Sequence, residues 1–425
     1  MIDGRAVIHT AVTHTPVIHT PGSHTPGTVT DALIGRVQQR LAQDRIEPTA
    51  AAVAAALRAE TDVVVSDAQM LGLIRQVQRE LVGAGPLSEL LADPETTDVV
   101  VNGPQDVRMD RGQGWERTAV TFTDDPAVAR LARRLAASAG RRLDDAHPFV
   151  DAQLADGTRL HAVLSPPAVG GTTLSLRVLR PTRYDLDALE EAGAFPGGVR
   201  TVLDVVVRAR LAFLISGGTG TGKTTLLAAM LGTVPPGERI ITVEDAGELR
   251  PVHPHLVQLI ARADNVEGHG RIDLRELVRQ ALRMRPDRLV VGEVRGAEVV
   301  DLLAALNTGH DGGCGTVHAN AVTEVPARLE ALGAIGGLDR RGLHAQLSGA
   351  VQVVIHLARS GIGGSGRGGR AVAGIGLLQR DRSGTVVPVP VLGPRGEALL
   401  GAELLGELIR SRGVDPGPLA EAVRL

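Results

Sequence analysis

Aromatic residues make up only 1% of this 425-residue chain, with one Trp, one Tyr and four Phe. Proteins that grip single-stranded nucleic acid stack bases on aromatic side chains along a basic groove. A net charge of −3 supplies no such groove, so direct contact with nucleic acid is not expected. The one cysteine, Cys314, excludes an intramolecular disulfide and fits a reducing compartment. No apolar run approaches the ~18 residues of a membrane span, and the first residues lack the charged-then-apolar pattern of a secretory signal. The expected protein is soluble and cytoplasmic, reaching any membrane through partners. Lysine is the last scarcity: of 45 Lys and Arg residues, only Lys223 is a lysine.

That lysine sits in Leu211-Ala-Phe-Leu-Ile-Ser-Gly-Gly-Thr-Gly-Thr-Gly-Lys-Thr-Thr225, which contains G-x-x-x-x-G-K-T in full. An apolar strand (211–215) precedes the motif and a helical run (226–231) follows it, the context a phosphate-binding P-loop requires. Gly217, Gly218, Gly220 and Gly222 allow successive N–H groups, with those of Thr219 and Thr221, to turn inward around a phosphate. The following helix points its positive end at the same anion. Lys223 adds a compact charge for the β- and γ-phosphates where a planar guanidinium would clash with the loop. Thr224 offers a hydroxyl to Mg²⁺, with Thr225 beside it. The motif predicts a bound nucleotide.

Around it the chain divides by composition. Residues 1–28 repeat His-Thr-Pro with a five-residue period, cannot bury a core and are expected to be disordered. One reading makes them translated upstream sequence, with the working start nearer Val29. Residues 29–92 carry helical spacing at Leu33-Ile34-Val37-Leu41 and Met70-Leu73-Ile74-Val77-Leu81, with a capping box at Ser66-Asp-Ala-Gln69. Residues 93–180 read as a small α+β domain: strands at 98–103, 107–109, 118–122, 149–154, 159–164 and 172–179, and a helix at 127–139. Its arginine pairs at 133–134 and 141–142 read as a solvated face. A linker with one short helix follows (181–198). Residues 199–425 then form an α/β domain of the RecA-like P-loop class, with a Gly-rich flexible stretch at 360–369. The expected fold is α/β, a RecA-like domain preceded by the α+β domain and a helical segment.

Two β runs in the last domain end in carboxylates. Arg239-Ile-Ile-Thr-Val-Glu-Asp245 closes on Glu244 and Asp245, and Arg288-Leu-Val-Val-Gly-Glu-Val-Arg295 carries Glu293. In parallel α/β sheets ligands bind beyond the carboxyl ends of the strands, so both ends should meet the P-loop on one edge. Glu244 and Glu293 are candidates to position water, and Asp245 to hold metal-bound water.

Several ordered motifs make the family recognisable: Thr242-Val-Glu-Asp-Ala-Gly-Glu-Leu249, Ala281-Leu-Arg-Met-Arg-Pro-Asp-Arg288, Gly292-Glu-Val-Arg-Gly296, Asn307-Thr-Gly-His-Asp-Gly312 and Thr316-Val-His-Ala-Asn320. Together with Gly85-Pro-Leu, Thr97 to Gly103, Gly140-Arg-Arg and Val150 to Arg159, they resemble the type II/IV secretion and pilus ATPases over roughly residues 68–360. Within these the chain is most similar to the CpaF/TadA branch that powers tight-adherence pili. The resemblance implies a homohexameric ring that hydrolyses ATP with Mg²⁺, works peripherally at the cytoplasmic membrane and moves an inner-membrane platform protein. It assigns Glu244 to the acidic box, Glu293 to the Walker B position and His318 to the histidine box near the γ-phosphate. Arg159 and Arg177 take positions where relatives supply arginines to a neighbouring nucleotide. The Walker B run ends in Gly292-Glu293 rather than Asp, so Mg²⁺ leans on Thr224 and the acidic box. Gln153 stands where the family often has Arg. A DNA-translocating motor of conjugation type and a non-hydrolysing scaffold are the rival readings.

Overall fold

The computed structural model describes residues 36, 37, 40, 50–60, 74, 83–178, 184–196, 198–262, 264, 269–360 and 369–417. The His-Thr-Pro repeats, the Ser66 capping box, most of the helices expected at 33–41 and 70–81, and residues 361–368 of the Gly-rich stretch lie outside them. The chain falls into two compact units, Met1–Ala92 and Asp93–Leu425.

In the first unit, α1 (Ala50–Glu60) buries Val53, Ala56 and Leu57 on one face, the spacing of an apolar helical stripe. Arg36 and Arg40 pair with Glu60 at 3.4 and 3.1 Å. A short turn at Gly85–Leu87 leads into α2 (Ser88–Ala92).

The second unit holds two sheets. The first has β1 (Asp98–Asn102), β2 (Val107–Asp110), β3 (Trp115–Arg117), β4 (Phe149–Gln153), β5 (Arg159–Val163) and β6 (Thr173–Arg177) in the order β3-β2-β1-β6-β5-β4. Every neighbouring pair is antiparallel. Alternation does the sorting: Val99, Val101, Leu160, Ala162, Leu174 and Leu176 turn inward. Against β5 packs α3 (Asp125–Ser138), whose N-cap Asp124 accepts a 2.8 Å hydrogen bond from Ala127 N. One expectation is corrected here, because the third strand is Trp115–Arg117 and not 118–122. Asp110 Oδ1 accepts from Gly112 N and Gly114 N at 2.6 and 3.0 Å. That tight turn starts the return strand directly after Gly114, with Trp115 opposite Asp110.

The second sheet contains β7 (Phe213–Gly217), β8 (Ile240–Glu244), β9 (Leu256–Ile260), β10 (Arg288–Val294), β11 (Cys314–Val317), β12 (Val353–Ser360), β13 (Gly369–Arg380) and β14 (Val386–Leu392). Its order is β14-β13-β12-β7-β11-β10-β8-β9. From β12 to β9 all pairs are parallel, while β13 and β14 add an antiparallel edge. One strand, β11, separates the P-loop strand β7 from the Glu293 strand β10, the RecA-like order.

Strands buried on both faces read as unbroken apolar runs, and β7 and β8 are buried throughout. Phe213 and Ile215 face a core with Leu186 of α4 (Leu186–Glu191), Val206 of α5 (Val199–Arg208), Leu227 of α6 (Lys223–Gly232) and Leu405 of the C-terminal helix 402–411. Leu214 faces the opposite core, with Val278 of α7 (Leu274–Leu282), Leu302 of α8 (Glu298–Leu306), and Leu329 and Leu347 from helices 325–335 and 340–350. The sequence reading leaves those last two helices and β9 unassigned. Strand β9 is a short edge of partly exposed residues, so it lacks the buried run that gives its neighbours away. Among the described residues no helix is long and apolar enough to cross a membrane.

Candidate active site

The carboxyl ends of β7, β8, β10 and β11 lie side by side, and each delivers one part of the site. At the end of β7 the loop turns at Gly220 (φ +70) and Gly222 (φ +95), conformations that favour glycine. Thr221 Oγ1 donates to Gly218 O at 2.9 Å and closes the loop on itself. At Gly217, a Cβ would stand 2.5 Å from Leu357 O on the next strand. Lys223 opens α6 with only 8% of its surface exposed. Its Nζ donates to Gly217 O and Gly218 O at 3.0 and 2.9 Å. Burial lowers its pKa, opposed by the charges of Glu293 and Glu248. A buried ammonium on a glycine-turned loop at the N-terminus of α6 fits a polyphosphate.

Glu293, near the end of β10, meets the P-loop as the strand-end argument requires, and His318, just past β11, lies beside it. His318 Nε2 lies 2.9 Å from Glu293 Oε1 and 3.4 Å from Lys223 Nζ. One ring nitrogen cannot donate to the carboxylate and accept from the ammonium at once. The shorter contact, and the two carbonyls already bonded to Lys223, assign the Nε2 proton to the Glu293 pair. Burial and then the Lys223 charge lower the His318 pKa, with Glu293 opposing them. A neutral imidazole therefore stands beside the carboxylate at neutral pH.

Glu244 sits differently. It is 4% exposed, and its Oε1 accepts from Leu249 N and Glu248 N at 2.9 and 3.2 Å. The side chain lies flat against β10, where a Cβ on Gly292 would be 2.6 Å from its Cγ. Gly292 is thus the residue that admits Glu244. Its Oε2 has no hydrogen-bond partner. Burial pushes the carboxyl up to about 7, against the two N–H groups that favour the ion. The following Asp245 is held by Arg295 at 2.7 Å, and Arg295 also reaches Glu293 at 3.7 Å. Thr224 and Thr225, partly exposed, stand on the first turn of α6. Among the described residues no group of three or more His, Cys, Asp or Glu side chains is assembled to hold a metal. A cation here would lean on the phosphates, the Thr224 hydroxyl and the acidic loop.

The two arginines of the antiparallel sheet are direct cross-strand partners. Arg159 leaves its own sheet to pair with Glu248 of the acidic loop at 2.7 Å. Arg177 stays local, bonded to its β1 neighbour Asp98 at 2.9 Å. Both line a cleft of about 730 Å³ with Arg141, Arg262, Asp245 and Arg295. Of the solvated-face arginines, Arg133 and Arg142 pair with Asp145 and Asp144, while Arg141 reaches Asp264 O at 2.5 Å. His310 bonds its own turn through Ala305 O at 3.0 Å.

The sequence reading gave no role to Arg295 or Glu248, although both lie inside quoted motifs. It also missed a buried pair behind the P-loop, Ser216 Oγ and His356 Nδ1 at 2.9 Å, which arises from the β7–β12 register and no local signal.

The chain is similar to known proteins over most of its length. The family described as type II/IV secretion system protein matches residues 80–365. A Mycobacterium tuberculosis protein with the provisional name of conjugal transfer protein is 57% identical over 355 residues, covering 82% of this chain and 99% of its own. The type IV secretion system protein VirB11 of Brucella suis is 29% identical over 313 residues, 66% of this chain and 86% of its own. Among solved structures, the Brucella suis VirB11 ATPase in complex with sulphate is 28% identical and covers 68% of this chain and 91% of that one, with a TM-score of 0.37. The pilus retraction motor PilT with bound ADP is 20% identical over 77% of this chain and 85% of that one, with a TM-score of 0.48.

Proposed function

Because the chain belongs to the type II/IV secretion system protein family, we propose that it is an ATPase motor that powers pilus assembly or protein secretion through a membrane platform. The observation that carries this reading is the cluster of Lys223, His318 and Glu293 at the mouth of the P-loop. The backbone of 217–225 wraps the phosphates, and Lys223 exchanges its two carbonyl partners for β- and γ-phosphate oxygens. Thr224, through its hydroxyl, and Asp245, through water, are the residues that would hold Mg²⁺. The cation, when bound, offsets charge developing on the phosphates. Glu293, fixed by the His318 N–H, orients water and accepts its proton, a contribution of roughly 10²–10⁴-fold. Glu244 holds the acidic loop from below.

In a homohexamer, Arg159 and Arg177 would leave Glu248 and Asp98 and turn to the nucleotide of a neighbouring subunit. Hydrolysis then reports on ring geometry. The segment 93–180 and the segment 199–425 act as the two moving bodies, with 181–198 as the linker. Residues 29–92 serve as a docking module, and 1–28 lie outside the machine. The partner is a platform protein of the cytoplasmic membrane, where the motor sits peripherally. Within the family, the CpaF/TadA-like motifs point to tight-adherence pili.

The name of the Mycobacterium tuberculosis relative favours a second reading, a motor of conjugation type that moves DNA. Mg²⁺-dependent ATP turnover by the purified chain, with and without double- and single-stranded DNA, separates the two. The first reading predicts turnover that ignores DNA. Salt-sensitive stimulation by DNA would move the assignment to the second, and absence of turnover would remove both.

A further inference from the structure

We propose that Arg359 and Arg370 form a cation clamp that grips the phosphate end of a nucleoside triphosphate held by the P-loop of the same chain. The inference rests on the ATP reading above and adds two residues outside every motif discussed so far. Strand β12 runs parallel to the P-loop strand, with His356 opposite Ser216 and Leu357 opposite Gly217. Where β7 ends and the loop begins, β12 continues, so that Ala358 and Arg359 overhang the loop. Arg359 Nη2 lies 2.8 Å from the position a Cβ would take on Gly220. Arg370 comes from the returning strand β13 as the direct cross-strand partner of Arg359. Its Cδ lies 3.8 Å from the Cβ position of Gly222.

Two like charges directly opposite on antiparallel strands repel and destabilise the pair. The other arginines at the site relieve this with carboxylates: Arg159 on Glu248, Arg177 on Asp98 and Arg295 on Asp245. Among the described residues the guanidinium groups of Arg359 and Arg370 make no hydrogen bond and no ion pair, and both residues are exposed. Lys223, a third cation, sits in the same loop. The missing counterion must carry several negative charges and must reach the crest of the loop at Gly220 and Gly222. A polyphosphate seated on the loop N–H groups does both, and a guanidinium suits its oxygens with paired donors.

This makes a prediction that solvated surface arginines would not. Removing one guanidinium relieves repulsion in the free protein and removes attraction in the complex, so the two effects have opposite sign. The experiment measures ATP affinity with a fluorescent ATP analogue, and melting temperature with and without ATP, for wild type, Arg359→Ala, Arg370→Ala and the double variant. Each single change is expected to weaken ATP binding by about tenfold, the scale of one charge-assisted contact. The melting temperature without nucleotide should hold or rise, and the rise on adding ATP should shrink. If the double alanine variant fails to fold, Arg359→Gln with Arg370→Gln replaces it, keeping the stems and removing only the charge. Double-variant affinity within about twofold of wild type overturns the clamp while leaving the ATP reading intact. A wild type that binds no ATP overturns both.

Discussion

Replacing Glu244 with glutamine removes one ionisable group and keeps its shape, and the structure fixes how the consequence should depend on pH. Burial pushes this carboxyl from its ordinary 4.5 up to about 7. Between those values the folded chain holds a proton that the unfolded chain has released. Stability therefore falls as pH rises through the window and levels off above the folded pKa. At about 1.4 kcal/mol per pH unit the wild type loses roughly 3 kcal/mol from this group. Glutamine keeps an oxygen for Leu249 N and Glu248 N, the partners of Glu244 Oε1. It also puts an amide where Oε2 has no partner, at a cost of about 1–3 kcal/mol that does not vary with pH. Glu244→Gln should thus be the less stable protein near pH 5 and should match or overtake wild type near pH 8, on the scale set by the shifted carboxyl. The assay is thermal unfolding of both proteins across that range in EDTA, so that no divalent cation competes for the acidic loop. The difference in melting temperature should swing by roughly 4 °C. A difference that stays constant with pH would show that Glu244 is ionised throughout and that the burial argument fails.

Other perturbations probe neighbouring parts of the site. Lys223→Arg should reduce hydrolysis to background although charge is kept, because Nζ occupies a buried seat against Gly217 O and Gly218 O; near wild-type turnover would contradict that. Gly292→Ala places a Cβ 2.6 Å from Glu244 Cγ. It should cost about 1–3 kcal/mol and slow turnover, whereas an unchanged melting temperature would mean that Glu244 has room to move. For the arginines, Lys223→Ala and Arg177→Ala proteins are mixed during assembly. An arginine acting across a subunit boundary restores activity, and one acting within its own chain gives none at any mixing ratio. Full activity in Arg177→Ala alone would leave Arg177 as the partner of Asp98 and nothing more.

The parts of the site that were legible in the sequence are those whose chemistry constrains consecutive residues. A phosphate cradle needs its glycines and lysine in fixed order, so 217–225 could be read directly. That Glu293 ends beside the P-loop followed from parallel strands ending on one edge, while His318 was assigned there only by the resemblance to the family's histidine box. Burial made β7, β8 and β10 legible as apolar runs, while β9, on a half-exposed edge, gave no such run. The third strand of the antiparallel sheet was misplaced because its three residues are all exposed and its position is set by the Asp110 turn. What lay beyond reading was register. Nothing local in Arg359 or Arg370 announces that β12 pairs beside β7, or that 359 faces 370 across the hairpin. Arg159 likewise reaches Glu248 only because the two sheets meet there.

The central claim is that Glu293, fixed by His318 at 2.9 Å, is the group that orients water at the bound nucleotide. Glu293→Gln tests it most directly when ATP affinity and steady-state turnover are measured on the same preparation. The shape and the P-loop survive this change, so affinity should stay near that of wild type while kcat falls by roughly 10²-fold or more. An unchanged kcat in Glu293→Gln, with turnover abolished in Glu244→Gln instead, would contradict the assignment and make the acidic box the base.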